Sequence, residues 1–299
     1  MKPHLFTSIG TLLSALDLPE PLHPLVTVVE SVHLVESGKK LPEKFMLDFY
    51  IISYKNDPTG KLKYGQHYYE FEKGTMLFLA PRQLLAAENN LQHAGYSILI
   101  HPDFLRGFSL DNIAKKFGFF AYSVHEALRP TESEQTILVN IYETLVGEMK
   151  SKFDDSSPII IITLLELLLN YCDRFYKRQF VTQQAAEGDL LARVEKLLND
   201  YFDKETGLQN GLPTVKYLAE QLHYSSSYLS DMLRSLTGES AQLHIQNMMI
   251  EKAKELLSTS NLSVAEIAYQ LGFERPQSFN KLFRKKVEIS PLQFRRSFD

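Results

Sequence analysis

Two stretches near the end of the chain repeat one design: "LPTVKYLAEQLHYSSSYLSDMLRS" (212–235) and "LSVAEIAYQLGFERPQSFNKLFRKK" (262–286). Placing Ala219 over Ala268, a shift of 49 residues, sets Leu218 on Ile267, Leu222 on Leu271, His223 on Gly272 and Tyr224 on Phe273. The small residue lets two helices cross closely, and aliphatic residues at three- and four-residue steps supply one buried face. Gly272 suits the positive φ that ends a helix and begins a tight turn, and histidine is among the non-glycine residues enriched there. Small polar residues then open a second helix: Ser225, Ser226 and Ser227 in the first copy, Ser278 among the early residues of the second. Leu229 and Leu233 turn inward in one copy, Phe279 and Phe283 in the other. The pattern predicts two helix-turn-helix motifs, at about 214–236 and 263–286.

Between them, "AQLHIQNMMIEKAKELLS" (241–258) places Ala241, Ile245, Met248, Met249, Ala253, Leu256 and Leu257 at helical spacing. At about 1.5 Å per residue this spacer is roughly 27 Å long, near the ~34 Å of one DNA turn, so both second helices can enter successive major grooves. Net charge over the chain is −4, which does not advertise a polyanionic partner. Locally, residues 276–298 carry Lys281, Arg284, Lys285, Lys286, Arg295 and Arg296 against one acid, Glu288. One helix-turn-helix pattern occurs in many helical bundles. Two copies, a matched spacer and a basic stretch together point to double-stranded DNA.

A chain of 299 residues suggests two domains. Residues 25–101 read as short strands rich in β-branched and aromatic residues, separated by "SGKK", "DPTG" and "EKG", which predicts an antiparallel β-barrel or sandwich. Thr131 and Glu134 form a capping-box pattern before a helix carrying Ile137, Leu138, Ile141, Leu145, Val146 and Met149. A second helix, 159–178, is apolar nearly all round at first and is expected to be buried on several sides. The surplus apolar surface of these two helices predicts a homodimer through this region. "VTQQAAEGD" (181–189) is polar and aperiodic, and residues 183–189 are expected as a linker between domains 1–182 and 190–299. The expected fold is thus α+β with two domains: an antiparallel barrel with a helical pair, then an all-α domain. The lone Cys172 excludes an intramolecular disulfide, no stretch matches a membrane span, and the N-terminus is a poor secretory signal; a cytoplasmic protein is expected.

The segments "LAEQLHYSSSYLSDMLRSLTGES", "IEKAKELLSTSNLSVAEIAYQLGF" and "QSFNKLFRKKVEISPLQFR", with Pro291, Phe294 and Arg295 matching a proline turn and aromatic-Arg pair, resemble the AraC/XylS family of transcription regulators over roughly 196–298. The resemblance implies sequence-specific DNA binding, an N-terminal cupin-like barrel that senses a small molecule or mediates dimerisation, and a contact with RNA polymerase. Exposed positions of each second helix would read bases: Ser226, Ser227, Ser230, Asp231 and Arg234 in the first copy, and Pro276, Gln277, Ser278, Asn280 and Lys281 in the second. Gln277 suits adenine and Lys281 suits guanine, whereas Arg234, Arg284, Lys285 and Lys286 suit phosphates. Asp231 departs from the common pattern; it can accept from a cytosine amino group or pair with Arg234. "EFEKGTMLFLAPRQLL" is similar to the late barrel strands of sensing members, which makes Tyr54 and Tyr69 candidates to line an effector cavity and Arg82 a candidate to meet an anion.

A cupin-type metalloenzyme with a helical interaction tail is the alternative reading. It is weakened by "GQHYYEFEKG", which offers His67, Glu70 and Gly74 but has Tyr69 where a second histidine ligand would stand. Neither a Ser-His-Asp pattern nor a Gly-rich phosphate loop is present, so no enzyme activity, metal or other cofactor is expected. Cys172, on an apolar helix, reads as a core residue and not a reactive thiol.

Overall fold

The computed structural model describes residues 3–30, 41–59, 61–64, 67–70, 73–86, 92–187 and 190–298. The chain divides into two compact units, Met1–Gln179 and Phe180–Asp299.

In the first unit the strand-rich segment forms three separate sheets among the described residues. Strands β2 (Val26–Glu30), β4 (Tyr50–Thr59), β7 (Thr75–Leu79) and β9 (Gln92–Ile100) make an antiparallel sheet in the order β2-β9-β4-β7. Strands β1 (His4–Phe6), β3 (Lys44–Leu47) and β8 (Leu85–Ala86) make a second, in the order β1-β3-β8, and β5 (Lys61–Tyr64) pairs with β6 (His67–Glu70) as a hairpin. The expected closed barrel is therefore replaced by open sheets. Strand content and period follow from β-branched and aromatic residues, whereas closure depends on pairings between distant strands that local pattern does not specify.

Helix α1 (Ile9–Ala15), capped by Ser8, joins β1 and β3 in one apolar cluster: Phe6, Ile9, Leu12, Leu13, Phe45, Leu47 and Phe49 pack with Leu99 of the larger sheet. The sheet's other face is covered by helices α2 (Glu132–Lys150) and α3 (Ser157–Glu187). The Thr131–Glu134 capping box starts α2 as expected. Tyr142 is fully buried there; its hydroxyl donates to the Ile52 carbonyl at 3.3 Å and its ring stacks on Tyr96 at 5.6 Å. On α3, Ile161, Ile162, Leu165, Leu168, Leu169, Cys172, Phe175 and Tyr176 are buried, yet Ile159, Ile160 and Leu167 are exposed, so the helix has one open side. Burial raises the Cys172 thiol far above its usual range, so this core cysteine is not a nucleophile.

Helix α3 runs unbroken to Glu187, so most of the stretch expected as a linker is helix. Its residues Gln183, Gln184, Ala185, Ala186 and Glu187 lack an apolar period but are all good helix formers, and propensity extends a helix already nucleated by packing.

The second unit is all helix. Helices α4 (Leu190–Asp203), α5 (Val215–Leu222), α6 (Ser226–Thr237), α7 (Ala241–Thr259), α8 (Val264–Gln270), α9 (Pro276–Val287) and α10 (Pro291–Arg296) follow in order. The 19-residue α7 is the central spacer, about 28 Å long. It packs against α4, α5, α6, α8 and α10 through a face that includes Ile245, Met249, Ile250, Ala253 and Leu257. Lys252 fastens it to the end of α4, with Nζ 2.8 Å from Asp203 and 2.9 Å from Glu255. No helix among the described residues is long and apolar enough to cross a membrane.

Candidate nucleic-acid interface

The first motif is α5-turn-α6. Thr214 caps α5 by accepting from the Tyr217 amide, and Ser225 caps α6 by accepting from the Tyr228 amide at 3.2 Å. Each such cap contributes about 1 kcal/mol. Between them His223 adopts the left-handed conformation (φ 61°), as the repeat predicts. Leu218, Ala219 and Leu222 bury one side of α5, and Tyr228, Leu229, Met232 and Leu233 bury one side of α6. Tyr228 anchors the start of α6. Its ring meets Phe180 edge-on at 5.1 Å and its hydroxyl donates to the Gln183 side chain, both from the last turns of α3. This anchor was not legible from the repeat, because its partners lie outside it: Phe180 precedes the stretch expected as linker and Gln183 opens it.

The second motif, α8-turn-α9, repeats the first closely. Tyr224 N–H donates to the Ala219 carbonyl at 2.9 Å, and 49 residues on Phe273 N–H donates to the Ala268 carbonyl at 2.9 Å. Past the turn the correspondence slips to 50: Leu229 matches Phe279, Gly238 matches Glu288 at the left-handed C-cap, and Ser240 matches Ser290 at the next N-cap. The second turn thus holds one more residue. Consequently α9 starts at Pro276 after an Arg275 cap without a side-chain hydrogen bond, and Ser278 lies inside the helix instead of capping it.

Gly272 is the constrained point of this turn. Its φ is +95°, and a Cβ there would lie 2.1 Å from the Gly211 carbonyl oxygen. The short helical turn Gly207–Asn210, placed by "GLQNGLP", approaches as closely: a Cβ on Gly207 would meet the Gln270 carbonyl oxygen at 2.6 Å. This segment is a backbone-to-backbone brace for the second motif.

The predicted contact residues fall as follows. On α9, Gln277, Ser278, Asn280, Lys281, Arg284 and Lys285 are all exposed, while Phe279 and Phe283 are fully buried and continue a ring-to-ring chain from Phe273 to Phe294. Pro276 is half-buried at the first helical position. Arg284 and Lys285 occupy the last turn, where free carbonyls favour cations. Lys286 differs from the expectation. Its Nζ donates to Asn247 Oδ1 of α7 at 2.8 Å, and Asn247 in turn donates to Glu239 at 3.0 Å, so this lysine ties α9 to the spacer. On α6, Ser226 and Arg234 are exposed, and Ser227, Ser230 and Asp231 are half-buried. The Ser230 hydroxyl donates to the Ser226 carbonyl at 2.7 Å, which leaves its lone pairs as acceptors. Arg295 is not at the surface with these groups: its Nε donates to the Leu257 carbonyl at 3.1 Å and locks α10 onto α7.

The effector candidates are not brought together by the described residues. Tyr54 is buried beneath α2, its hydroxyl 3.3 Å from the Gln135 side-chain oxygen. Arg82 is exposed, at positive φ, with Nε 2.8 Å from Asp48. Tyr69 lies on β6 opposite Leu62, and its side chain is outside the described set. Among the described residues, no three His, Cys, Asp or Glu side chains gather where a metal ion would sit.

Comparison with known proteins places similar chains around this geometry. A helix-turn-helix domain family matches residues 218–297. The HTH-type transcriptional activator RhaS of Salmonella typhimurium (strain LT2) is 27% identical over 292 residues, covering 92% of this chain and 99% of its own length. YfiF of Bacillus subtilis (strain 168), an uncharacterized HTH-type transcriptional regulator, is 24% identical over 251 residues, covering 83% of this chain and 76% of its own. The crystallised C-terminal domain of the two-component response regulator yesN from Fusobacterium nucleatum is 35% identical, covering 34% of this chain and 98% of that domain, with a TM-score of 0.29.

Proposed function

This chain is a DNA-binding transcription regulator of the AraC/XylS family, and from that premise we propose that α6 and α9 both read bases, with α9 dominant. One observation carries the proposal: α9 turns Gln277, Ser278, Asn280, Lys281, Arg284 and Lys285 to solvent while its apolar side is consumed by the core. Gln277 and Lys281, a turn apart, suit base edges, and Arg284 and Lys285 suit phosphates. Helix α6 offers hydroxyl acceptors, Asp231 and the cation Arg234, which fits a weaker, narrower readout.

Selection of random duplexes on the full-length protein tests this. The expected product holds two short motifs about one DNA turn (10–10.5 bp) apart. Enrichment of a single motif would remove α6 from base reading, and no enrichment would overturn the assignment of both helices.

The regulator acts as a homodimer through α3 in this proposal. Ile160, Leu164, Leu167 and Tyr171 follow one another at steps of four, three and four, the seam spacing of paired helices. Ile160 and Leu167 are exposed, and Leu164 and Tyr171 are half-buried. Helix α2 contributes no such seam, since Leu145 is 1% exposed. In sedimentation, Leu167→Asp is expected to turn a dimer into a monomer that keeps the parent's helical circular-dichroism spectrum, with a melting temperature lowered only by the lost association. A monomeric parent protein at micromolar concentration would retire the idea. The first unit is further proposed to bind a small-molecule effector that controls DNA binding.

A further inference from the structure

The two faces of the four-stranded sheet differ in chemistry. Ile52, Phe78, Ile98 and Met76 point toward α2 and α3. On the opposite face, directed at the second sheet and α1, register aligns Thr27 with Leu99 and Ile51, then Val29 with Ser97, Ser53 and Leu77, then Gly95 with Lys55 and Thr75. Thr27, Ser53, Lys55, Thr75 and Ser97 are each more than nine-tenths buried. They make up most of the buried polar side chains among the described residues. Ser53 and Ser97 share a hydrogen bond at 2.7 Å.

Lys55 stands apart within this stripe. Its flanking partners, Thr75 on β7 and Gly95 on β9, carry no charge, and none of the described residues places a carboxylate against it. Burial alone pulls its ammonium down from 10.5 to about 8, so at neutral pH it remains charged although more than nine-tenths buried. An uncompensated buried cation is costly, and proteins keep one where a counter-charge arrives. A single ammonium matches a monoanion, and Val29, Leu77, Ile51 and Leu99, farther along the same face, match an apolar body. A phosphate dianion would need more donors than this face presents.

We propose that this stripe is an effector-binding floor on which the Lys55 ammonium receives the carboxylate of a small organic acid. The inference rests on the effector reading given above and replaces its residues: Tyr54 lies on the opposite face, and Arg82 is already paired with Asp48.

The test uses the full chain with sodium acetate, pyruvate, hexanoate and benzoate, against sodium chloride at equal ionic strength and hexan-1-ol as the uncharged analogue. At least one carboxylate is expected to raise the melting temperature at pH 7, and the alcohol is not. Apparent affinity is expected to fall about tenfold per pH unit above the Lys55 midpoint of about 8, because binding requires the protonated amine. Lys55→Met should lose the carboxylate effect while folding; Lys55→Gln, which keeps a polar end, provides a second folded variant. Stabilisation by no carboxylate of the series, or equal stabilisation of Lys55→Met, overturns the site. DNA affinity measured with the best carboxylate separates the two ideas. If binding depends on Lys55 but DNA affinity is unchanged, the site stands and the effector role falls.

Discussion

Replacing Gly272 by alanine is expected to destabilise the second unit by about 3 kcal/mol or more and to abolish specific DNA binding. Two independent effects add. A residue with a Cβ is strained at φ +95°, by about 1–3 kcal/mol. The new methyl would also sit 2.1 Å from the Gly211 carbonyl oxygen, a backbone atom that cannot rotate away. Relief requires moving the Gly207–Asn210 turn, which itself rests on Gln270 and Gly272. The matching slot of the first motif provides the control. His223, at φ 61°, already carries a side chain in the ordinary left-handed region, so His223→Gly should change stability by less than about 1 kcal/mol. Urea unfolding followed by circular dichroism measures both. A Gly272→Ala protein within 1 kcal/mol of the parent would show that the brace yields easily.

The second large effect lies on the surface of α9. Lys281→Ala is expected to weaken binding to the selected site by about 1–3 kcal/mol, roughly five- to 150-fold, with little change on random DNA. Lys285→Ala should weaken binding to all sequences nearly equally and reduce the slope of log affinity against log salt by about one. Fluorescence anisotropy at several salt concentrations separates them. Equal losses on random DNA for both variants would mean that Lys281 also touches only phosphate. Neither variant should lower stability by more than about 1 kcal/mol, the most that Lys285 loses at the helix C-terminus, because both side chains are exposed and α9 is held by Phe279 and Phe283.

Much of the second unit was legible because its information is local and written twice. Serine and threonine caps, the small residue at Ala219 and Ala268, and the turn residues His223 and Gly272 each have a mechanism that spacing reveals. The slip from 49 to 50 was also readable, since Leu229 and Leu233 pair with Phe279 and Phe283. What stayed hidden depends on distant partners. Lys286 reads as one more basic residue until Asn247 is found beside it. Arg295 reads as basic surface until Leu257 receives it. In the first unit strands were visible, but their division into open sheets was not, because pairing between distant strands leaves no periodic mark. Helix α1 lies in a stretch that reads as a poor signal sequence, although Ser8 supplies its cap. Lys55 was invisible for a related reason: a lysine in a strand reads as solvent-facing until a second layer covers its face.

The exposed residues of α9 make no side-chain hydrogen bonds that hold the fold, whereas Lys286, Arg295, Phe279 and Phe283 do the holding. Vocabulary and architecture are thereby uncoupled. In the readout proposed above, descendants of this chain would drift to new promoters by exchanging positions 277, 280 and 281 with little thermodynamic penalty, and paralogues would diversify in target choice while keeping the same skeleton.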